Sequence, residues 1–178
     1  MRKTILYIAM SLDGYIAEKN GGVDWLSGHN PEENSQNSYE AFTEEIDTVI
    51  MGWNTYYQVV TELSPKEWVY KDFETYVITH REKPSDECIF FVQQSPAELI
   101  SELKKKDGKD IWICGGANIV WQLMKEQCID RFHLSIIPII LGGGIRLFDS
   151  LPEKFPLRLL ETRTENGIVE LIYEKGQA

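Results

Sequence analysis

One short stretch, residues 111–118 (Ile-Trp-Ile-Cys-Gly-Gly-Ala-Asn), constrains the fold more than any other. An apolar run ends at two glycines, and a helical pattern begins directly after them, which predicts a strand that leads into a helix. Glycine lets a ligand approach the backbone without a Cβ atom in the way. The N-terminus of the helix that follows offers N–H groups to an anion. A phosphate-binding junction and a plain tight turn both fit this stretch, so the rest of the chain has to decide.

Length and charge narrow the class of protein. With 178 residues the chain is long enough for one hydrophobic core and short for two, so we predict a single domain over residues 1–178. No apolar run reaches the roughly 20 residues that span a bilayer, and the N-terminal apolar stretch is too short for a signal peptide. We therefore expect a cytoplasmic protein with no membrane partner. The formal net charge of −10 argues against nucleic acid as a partner, because nonspecific binding needs a surplus of Lys and Arg.

Strands and helices are predicted to alternate along the chain. A proline after Asn30 and acids in the first turn predict a helix that runs to about Glu45 and buries Tyr39, Phe42 and Ile46. Residues 15–30 are predicted to form a long loop. Alternation of this kind predicts an α/β fold with a mixed, mostly parallel central sheet flanked by helices. The Asn-Gly pair at 166–167 adds a C-terminal antiparallel hairpin. The predicted strands are 4–10, 48–51, 75–79, 87–92, 111–114, 131–137, 157–164 and 168–173.

Three predicted strand ends carry residues suited to a nucleotide. Residues 52–55 (Gly-Trp-Asn-Thr) follow one strand, residues 79–81 (Thr-His-Arg) follow the next, and residues 115–118 follow a third. Ligands of parallel α/β sheets bind at the carboxyl ends of the strands. Two helix starts with glycine suit a pyrophosphate, and the hydroxyl and cationic groups at 79–81 suit a further phosphate. The pattern therefore predicts an adenine dinucleotide, and Arg81 favours its phosphorylated form.

Other kinds of site are disfavoured because their motifs are missing from the sequence. No GxGxxG follows the first predicted strand, and no GxxxxGK followed by Ser or Thr occurs, which argues against a Rossmann dehydrogenase and a nucleotide hydrolase. The three histidines are scattered and show no helical spacing to acidic residues, so we expect no metal. GxSxG is also absent, and no serine or cysteine stands in the sequence context of an activated nucleophile.

Three motifs in register resemble the dihydrofolate reductase family. Residues 8–17, 49–56 and 113–117 occur in the order and approximate spacing of that family. Residues 136–148, with their triple glycine, resemble more closely the branch that holds the reductase domain of bacterial riboflavin synthesis. The resemblance covers almost the whole chain. It implies a dihydrofolate reductase-like fold and a reductase that uses NADPH.

The resemblance also implies a set of cofactor-binding residues. Ala9 and Ile16 would lie against the nicotinamide, residues 52–55 and 115–119 over the phosphates, and residues 79–81 at the adenosine 2′-phosphate. Many relatives have Arg where this chain has Trp53, so more of the cationic role would fall to Arg81. The full set is Ala9, Ile16, Gly52, Trp53, Asn54, Thr55, Thr79, His80, Arg81, Gly115, Gly116, Ala117, Asn118 and Ile119.

Substrate and catalytic residues follow from the same resemblance. Trp25 would lie in the mobile loop that closes over the nicotinamide, and Tyr39 and Phe42 would face the substrate. Dihydrofolate reductases place an acid early in the first helix to assist protonation. The matching region of this chain holds only Glu32 and Glu33, and of these we take Glu33 as the candidate. The expected reaction is hydride transfer to a C=N or C=O carbon, with the proton coming from a glutamate or from water.

Several functions remain open on the sequence. Reduction of the phosphoribosylamino pyrimidine of riboflavin synthesis is favoured, and dihydrofolate reduction is an alternative. From other classes, the protein could be a catalytically silent NADPH-binding module or a flavin-binding reductase. The expected partner is a small-molecule substrate. For the aromatic stretch 68–70 and the late strands, a homodimer interface and a place in the hydrophobic core fit equally well.

Overall fold

The structure, a computed structural model, describes residues 1–30, 37–149 and 153–176. Strands and helices alternate through most of this part of the chain. The strands are β1 (Thr4–Ser11), β2 (Tyr15–Ala17), β3 (Ile46–Gly52), β4 (Glu74–Ile78), β5 (Ile89–Val92), β6 (Asp110–Gly115), β7 (Arg131–Ile137), β8 (Ile145–Arg146), β9 (Leu157–Glu165) and β10 (Ile168–Lys175). The helices are α1 (Asn37–Glu44), α2 (Trp53–Gln58), α3 (Pro96–Leu103) and α4 (Ala117–Lys125).

One large sheet organises the described residues. Its strand order is β5-β4-β3-β6-β1-β7-β10-β9, and the neighbours from β5 to β7 are all parallel. β10 runs antiparallel to both β7 and β9. This confirms the predicted fold class, a mixed and mostly parallel sheet with a C-terminal antiparallel pair. β2 and β8 form a separate antiparallel pair near the end of β1.

Each face of the sheet is covered by a different apolar cluster, which is why the central strands are apolar on both sides. On one face, α3 and α4 pack against strand residues that include Leu6, Ile113 and Phe132. On the other face, Phe42 of α1 packs against residues that include Ile5 and Trp112. Within the described residues no helix is long and apolar enough to cross a membrane.

The helix starts are partly as predicted. Ser95 caps α3 with the expected capping box, in which Glu98 Oε2 accepts a hydrogen bond from the Ser95 backbone N–H at 3.0 Å. The helix expected from about residue 30 is α1, whose described part begins at Asn37, and the predicted cap at 31–36 lies outside the described residues. Ile46 is buried as expected but belongs to β3, because the helix ends at Glu44.

One expectation about an irregular segment needs correction. Residues 15–30 are not one long loop, because they contain β2 and a single 3₁₀ turn at Asp24–Leu26. In the aromatic stretch 68–70, Trp68 and Tyr70 are partly buried against the apolar cluster beside α1, while Val69 is exposed. The homodimer stays a prediction.

The predicted hairpin turn is confirmed, and it also holds the segment that leads towards α1. Asn166 and Gly167 both have positive φ angles, 49° and 76°, which is the requirement of a type I′ turn. The Asn166 carbonyl accepts the backbone N–H of His29 at 2.9 Å, and its side chain accepts that of Asn30 at 2.8 Å. An ideal Cβ on Gly28 would lie 2.3 Å from the Asn166 carbonyl oxygen. Glycine at position 28 thus permits this close contact.

Asp13 anchors the glycine-rich segment after β7. Its carboxylate accepts the Ser11 hydroxyl at 2.7 Å and the backbone N–H groups of Leu141 at 3.1 Å and Gly142 at 2.8 Å. The Ser11 hydroxyl, followed by these two amides, lowers the pKa of the Asp13 carboxyl. The contacts join the end of β1 to the segment between β7 and β8.

We expect Asp13→Ala to release this segment. Because the folded pKa of Asp13 is depressed, the anchoring is fully present above the ordinary aspartate pKa of about 3.9. It is lost as the pH falls through the lower folded value. Amide hydrogen exchange at Leu141 and Gly142 should accelerate in the variant while Asp107→Ala, which removes an exposed carboxylate, leaves both rates unchanged. Equal protection in Asp13→Ala and the native chain would contradict the anchor.

Candidate functional site

Strand register brings the three predicted turns together at one edge of the sheet. Gly52 pairs with Ile78, and Met51 pairs with Gly115. Because β4, β3 and β6 are parallel neighbours, the segments that follow them leave the sheet side by side. The residues expected to bind one ligand are therefore neighbours, although their role as a binding site stays a prediction.

Glycine at position 52 allows the first turns of α2 and α4 to approach each other closely. An ideal Cβ on Gly52 would lie 3.3 Å from Ile119 Cγ1, and one on Gly116 would lie 3.5 Å from Thr55 Oγ1. The Gly115–Gly116 peptide bond is cis. The junction at 111–118 is thus confirmed as strand, glycine turn and helix.

Neither of these two helix starts is capped by a side chain. Gly52 and Gly116 occupy the N-cap positions of α2 and α4, and neither provides a side-chain hydrogen bond to the helix. The start of α3, by contrast, is capped by Ser95. Uncapped helix N-termini retain N–H groups and a positive dipole end that suit an anion. Two such starts side by side can serve two linked phosphates.

A cation and aromatic cluster lies next to these helix starts. The Arg81 guanidinium carbon is 4.9 Å from the centroid of the Trp53 ring, and Lys83 Nζ is 5.5 Å from the same centroid. Lys83 Nζ also donates a hydrogen bond to the Tyr56 hydroxyl at 3.0 Å. Trp53 therefore provides the aromatic ring with which both cations make cation–π contacts.

Sequence reasoning missed Lys83. It lies two residues beyond Arg81 in a stretch without periodicity, and nothing in the sequence distinguishes it from the other lysines. Its spacing from Arg81 was the one available signal, since alternate residues of an extended segment lie on the same side. The structure makes the pair visible because both cations contact one ring.

The other residues predicted around the cofactor differ in their surroundings. Thr79 is buried, and its hydroxyl accepts the backbone N–H of Arg81 at 3.1 Å, so it shapes the turn that presents Arg81. His80 and Asn54 are exposed at the same edge. Asn118 is exposed too, and its side-chain oxygen accepts a hydrogen bond from Gln122 at 2.6 Å. Ala117 and Ile119 are buried on α4.

The residues predicted near the nicotinamide are more dispersed. Ala9 lies on β1 and is paired with Ser135 of β7. Ile16 packs instead with the apolar cluster of α3 and α4. Trp25 is half-buried, and its indole N–H donates to the Gly22 carbonyl within its own loop at 3.3 Å. Glu32 and Glu33, the candidate acids, lie outside the described residues.

A small cleft of about 50 Å³ lies between α1 and the sheet, and Ser135, the β7 partner of Ala9, lines it. A cleft of this size admits one edge of a ligand, since sites that enclose a whole small molecule run to about 300–1,000 Å³. Phe42 lines it and is stacked on Tyr7, with ring centroids 4.4 Å apart, while Tyr39 is 36% exposed near the same ring. The cleft is lined by Tyr7, Ser38, Ala41, Phe42, Glu45, His133, Leu134, Ser135, Arg163, Glu170 and Ile172.

Hydrogen-bonding groups line one wall of this cleft. Tyr7, Ser38 and Ser135 line this wall together, and the Ser38 hydroxyl donates to Glu170 Oε1 at 2.7 Å. Burial raises the pKa of the Tyr7 phenol, so it stays protonated through the neutral range. Burial also lowers the pKa of His133 to about 4, and its buried Nε2 has no hydrogen-bond partner.

Cys114 is close to the glycine turn and is the one thiol on the strand that enters it. Its Sγ lies 3.7 Å from the Tyr70 hydroxyl. Burial raises the pKa of the Cys114 thiol to about 11. A thiol that stays protonated at neutral pH is a poor nucleophile, so Cys114 acts as a small packing residue.

Comparison with known proteins agrees with this architecture. The family model for the RibD C-terminal domain matches residues 2–170. YwjB, an uncharacterized protein of Bacillus subtilis, is 41% identical over 178 residues, which cover 98% of this chain and 99% of YwjB. The riboflavin biosynthesis protein RibD of Haemophilus influenzae is 23% identical over 185 residues, covering 83% of this chain and 50% of RibD.

Solved structures show the same fold. A protein of Shewanella sp. PV-4, assigned to riboflavin biosynthesis by its name alone, superposes with a TM-score of 0.85 and 28% identity. The superposition covers 98% of this chain and 99% of that chain. The deaminase/5-amino-6-(5-phosphoribosylamino)uracil reductase of Thermotoga maritima has a TM-score of 0.70 and 13% identity, with 98% and 57% covered. The family that the motifs indicated is therefore confirmed, and this chain belongs to the RibD C-terminal domains, a family of reductase-like domains.

Proposed function

We propose that this chain binds NADPH along the carboxyl edge of its sheet and reduces a small pyrimidine- or pterin-type molecule. The observation that carries the proposal is the convergence of residues 52–55, 79–83 and 115–119 at that edge. The compound to test first is 5-amino-6-(5-phosphoribosylamino)uracil, because a structural relative is named as a reductase of this compound.

The residues at the edge fit the chemistry of NADPH. A Cβ on Gly52 would lie 3.3 Å from the Ile119 side chain, so glycine at this position keeps the starts of α2 and α4 close together. The uncapped starts of α2 and α4 suit a pyrophosphate. Arg81 and Lys83 supply two cations for a 2′-phosphate, which is the group that separates NADPH from NADH.

The protein's contribution would be positioning. Bound NADPH supplies a hydride to an electrophilic carbon of the substrate. The substrate would lie against Ala9 and place one edge in the small cleft between α1 and the sheet, with Phe42 as an apolar wall. Gln58 Nε2 donates to the Gly21 carbonyl at 2.8 Å and thereby holds the loop that contains Trp25 close to α2. This loop would limit the access of water to the reacting atoms.

The experiment is an NADPH oxidation assay with purified protein and 5-amino-6-(5-phosphoribosylamino)uracil, dihydrofolate and a simple imine offered in turn. We expect absorbance of the reduced nicotinamide to fall with the pyrimidine and the product to carry deuterium when the hydride position of NADPH is deuterated. Turnover of dihydrofolate alone would instead favour dihydrofolate reduction. NADPH binding without turnover of any compound would indicate a silent binding module, and a yellow protein as purified would indicate a flavin.

A further inference from the structure

We propose that the Tyr7 hydroxyl is the proton donor of the reduction, and that Ser38 and Glu170 connect it to solvent. This inference rests on the proposed function and names a group that the motifs do not indicate. It uses the polar wall of the cleft between α1 and the sheet, where Tyr7 lies beside Ser38, Ser135 and Glu170.

Tyr7 lies close to Ala9, the residue expected to contact the nicotinamide. Tyr7 and Ala9 are two residues apart on β1, so their side chains share one face of the sheet about 7 Å apart. Ser135, which lines the cleft together with Tyr7, is the residue paired with Ala9 across β1 and β7. A substrate that lies against Ala9 and enters the cleft is therefore within reach of the Tyr7 hydroxyl.

The phenol ring is held by its neighbours. It is stacked on Phe42 at 4.4 Å with an angle of 12° between the rings, and it meets Trp112 edge-on at 6.1 Å. Aromatic contacts of this kind fix the ring plane. The ring that carries the hydroxyl is therefore oriented before a substrate arrives.

A chain of hydrogen-bonding groups runs from Tyr7 to the surface. Ser38 Oγ donates to Glu170 Oε1 at 2.7 Å, and Glu170 is half-buried on β10. Arg163, on the exposed strand β9, is paired with Glu170 in the sheet and hydrogen-bonded to Glu161 at 2.7 Å. The proposed route for protons runs from solvent through Glu170 and the Ser38 hydroxyl to the phenol, along one wall of the cleft.

The chemical step balances with a C=N substrate. The C=N π bond breaks, the carbon forms a C–H bond with the hydride from the dihydronicotinamide, and the nitrogen forms an N–H bond with the Tyr7 proton. The substrate gains two electrons and two hydrogens, and the nicotinamide is oxidised. The Tyr7 phenolate then recovers its proton from water through Ser38 and Glu170.

Tyr7→Phe is the test, because it removes the oxygen and keeps the stacked ring. In single-turnover measurements with NADPH and 5-amino-6-(5-phosphoribosylamino)uracil, we expect the hydride-transfer rate to fall by about 100-fold or more. The Kd for NADPH and the KM for the pyrimidine should stay within about threefold, since the donor acts in the transition state. Ser38→Ala and Glu170→Gln, which affect positioning and resupply, should give smaller losses of rate.

The matched control is Tyr76→Phe. Tyr76 is also half-buried and hydrogen-bonded to a glutamate, Glu74, at 3.2 Å, but it packs on the opposite face of the sheet. We expect its hydride-transfer rate to equal that of the native chain. A Tyr7→Phe variant that folds, binds NADPH and reacts at the native rate would overturn the inference, and so would a variant in which only KM rises.

The pH profile and a spectroscopic readout separate a donor from a structural residue. The groups that face Tyr7 and titrate or carry charge are Glu170, Arg163, Glu45, His133 and Tyr39. Because the Tyr7 pKa is raised, we expect the native rate to be flat from neutral pH to about pH 9. With Tyr7→Phe the rate should fall as pH rises, because protons come from solvent. The same slope in both proteins would overturn the inference.

Tyrosine Cζ NMR on the native chain gives a test that needs no turnover. Adding the pyrimidine to protein that holds oxidised NADP should shift the Tyr7 signal and leave the Tyr76 signal in place. An unshifted Tyr7 signal would overturn the inference. Native protein that neither oxidises NADPH nor binds the pyrimidine would overturn the proposed function and this inference with it, whereas native turnover without a Tyr7 effect would overturn this inference alone.

Discussion

Replacing both Arg81 and Lys83 by alanine is expected to weaken NADPH binding by about 100-fold or more and to leave NADH binding within about twofold. Each cation would make a charge-assisted contact with the 2′-phosphate, worth roughly 1.5–3 kcal/mol. A loss of about 2.7 kcal/mol corresponds to 100-fold in Kd, which is near the lower limit for two such contacts. The expectation stays near that limit because both side chains are exposed and solvent screens their charge.

Calorimetric titration with the two nucleotides measures this difference. The matched control is a double variant of Lys71 and Arg158, two exposed cations that form ion pairs elsewhere, with Glu67 and Glu174. Both double variants lower the net charge equally, so a general electrostatic effect on an anionic ligand would appear in both. Equal losses for NADPH and NADH in the Arg81 and Lys83 variant would contradict the 2′-phosphate assignment.

Phe132→Ala is expected to cost about 3–5 kcal/mol of the free energy of unfolding, which is typical of a phenylalanine removed from a core. Phe132 is fully buried on β7, and its ring meets Phe155 edge-on with centroids 5.6 Å apart. It connects the sheet to the segment that precedes β9, so the resulting cavity cannot collapse without moving that segment. For a chain of this size the Tm should fall by roughly 6–20 °C.

Thermal and urea unfolding measure the change, and Leu160→Ala is the control. Leu160 lies on β9 with 40% of its surface exposed, so its truncation should cost less than about 1 kcal/mol. A Phe132→Ala variant that loses no more stability than Leu160→Ala would contradict the packing described for the α3 and α4 face of the sheet.

Most of the fold could be predicted because local patterns agree with the tertiary structure. β7 coincides with the predicted strand 131–137 because its residues alternate between two covered faces. The hairpin and the α3 capping box were predicted from residues adjacent in sequence, where turn and cap chemistry is decided locally. Residues 15–30 were less predictable, because β2 is three residues long and depends on pairing with β8 far along the chain.

The candidate site was predictable only in part. The glycine turns at 52 and 115 and the Arg81 turn have local signals, and the parallel order of their strands brings them together. Lys83 has no such signal, because its importance depends on the Trp53 ring. The polar wall of the cleft has none either. Tyr7, Ser38, Ser135 and Glu170 come from four separate elements, and each resembles an ordinary surface or strand residue until register and helix packing bring them together.

The central claim is that three turns enclose one nucleotide, and an amide NMR titration of the native chain with NADPH tests it most directly. We predict that the backbone amides of residues 52–55, 79–83 and 115–119 shift together along one saturable curve with a single Kd. The same amides should require a higher concentration of NADH. NADPH that leaves any one of the three turns unshifted, or that shifts them with different Kd values, would contradict the account.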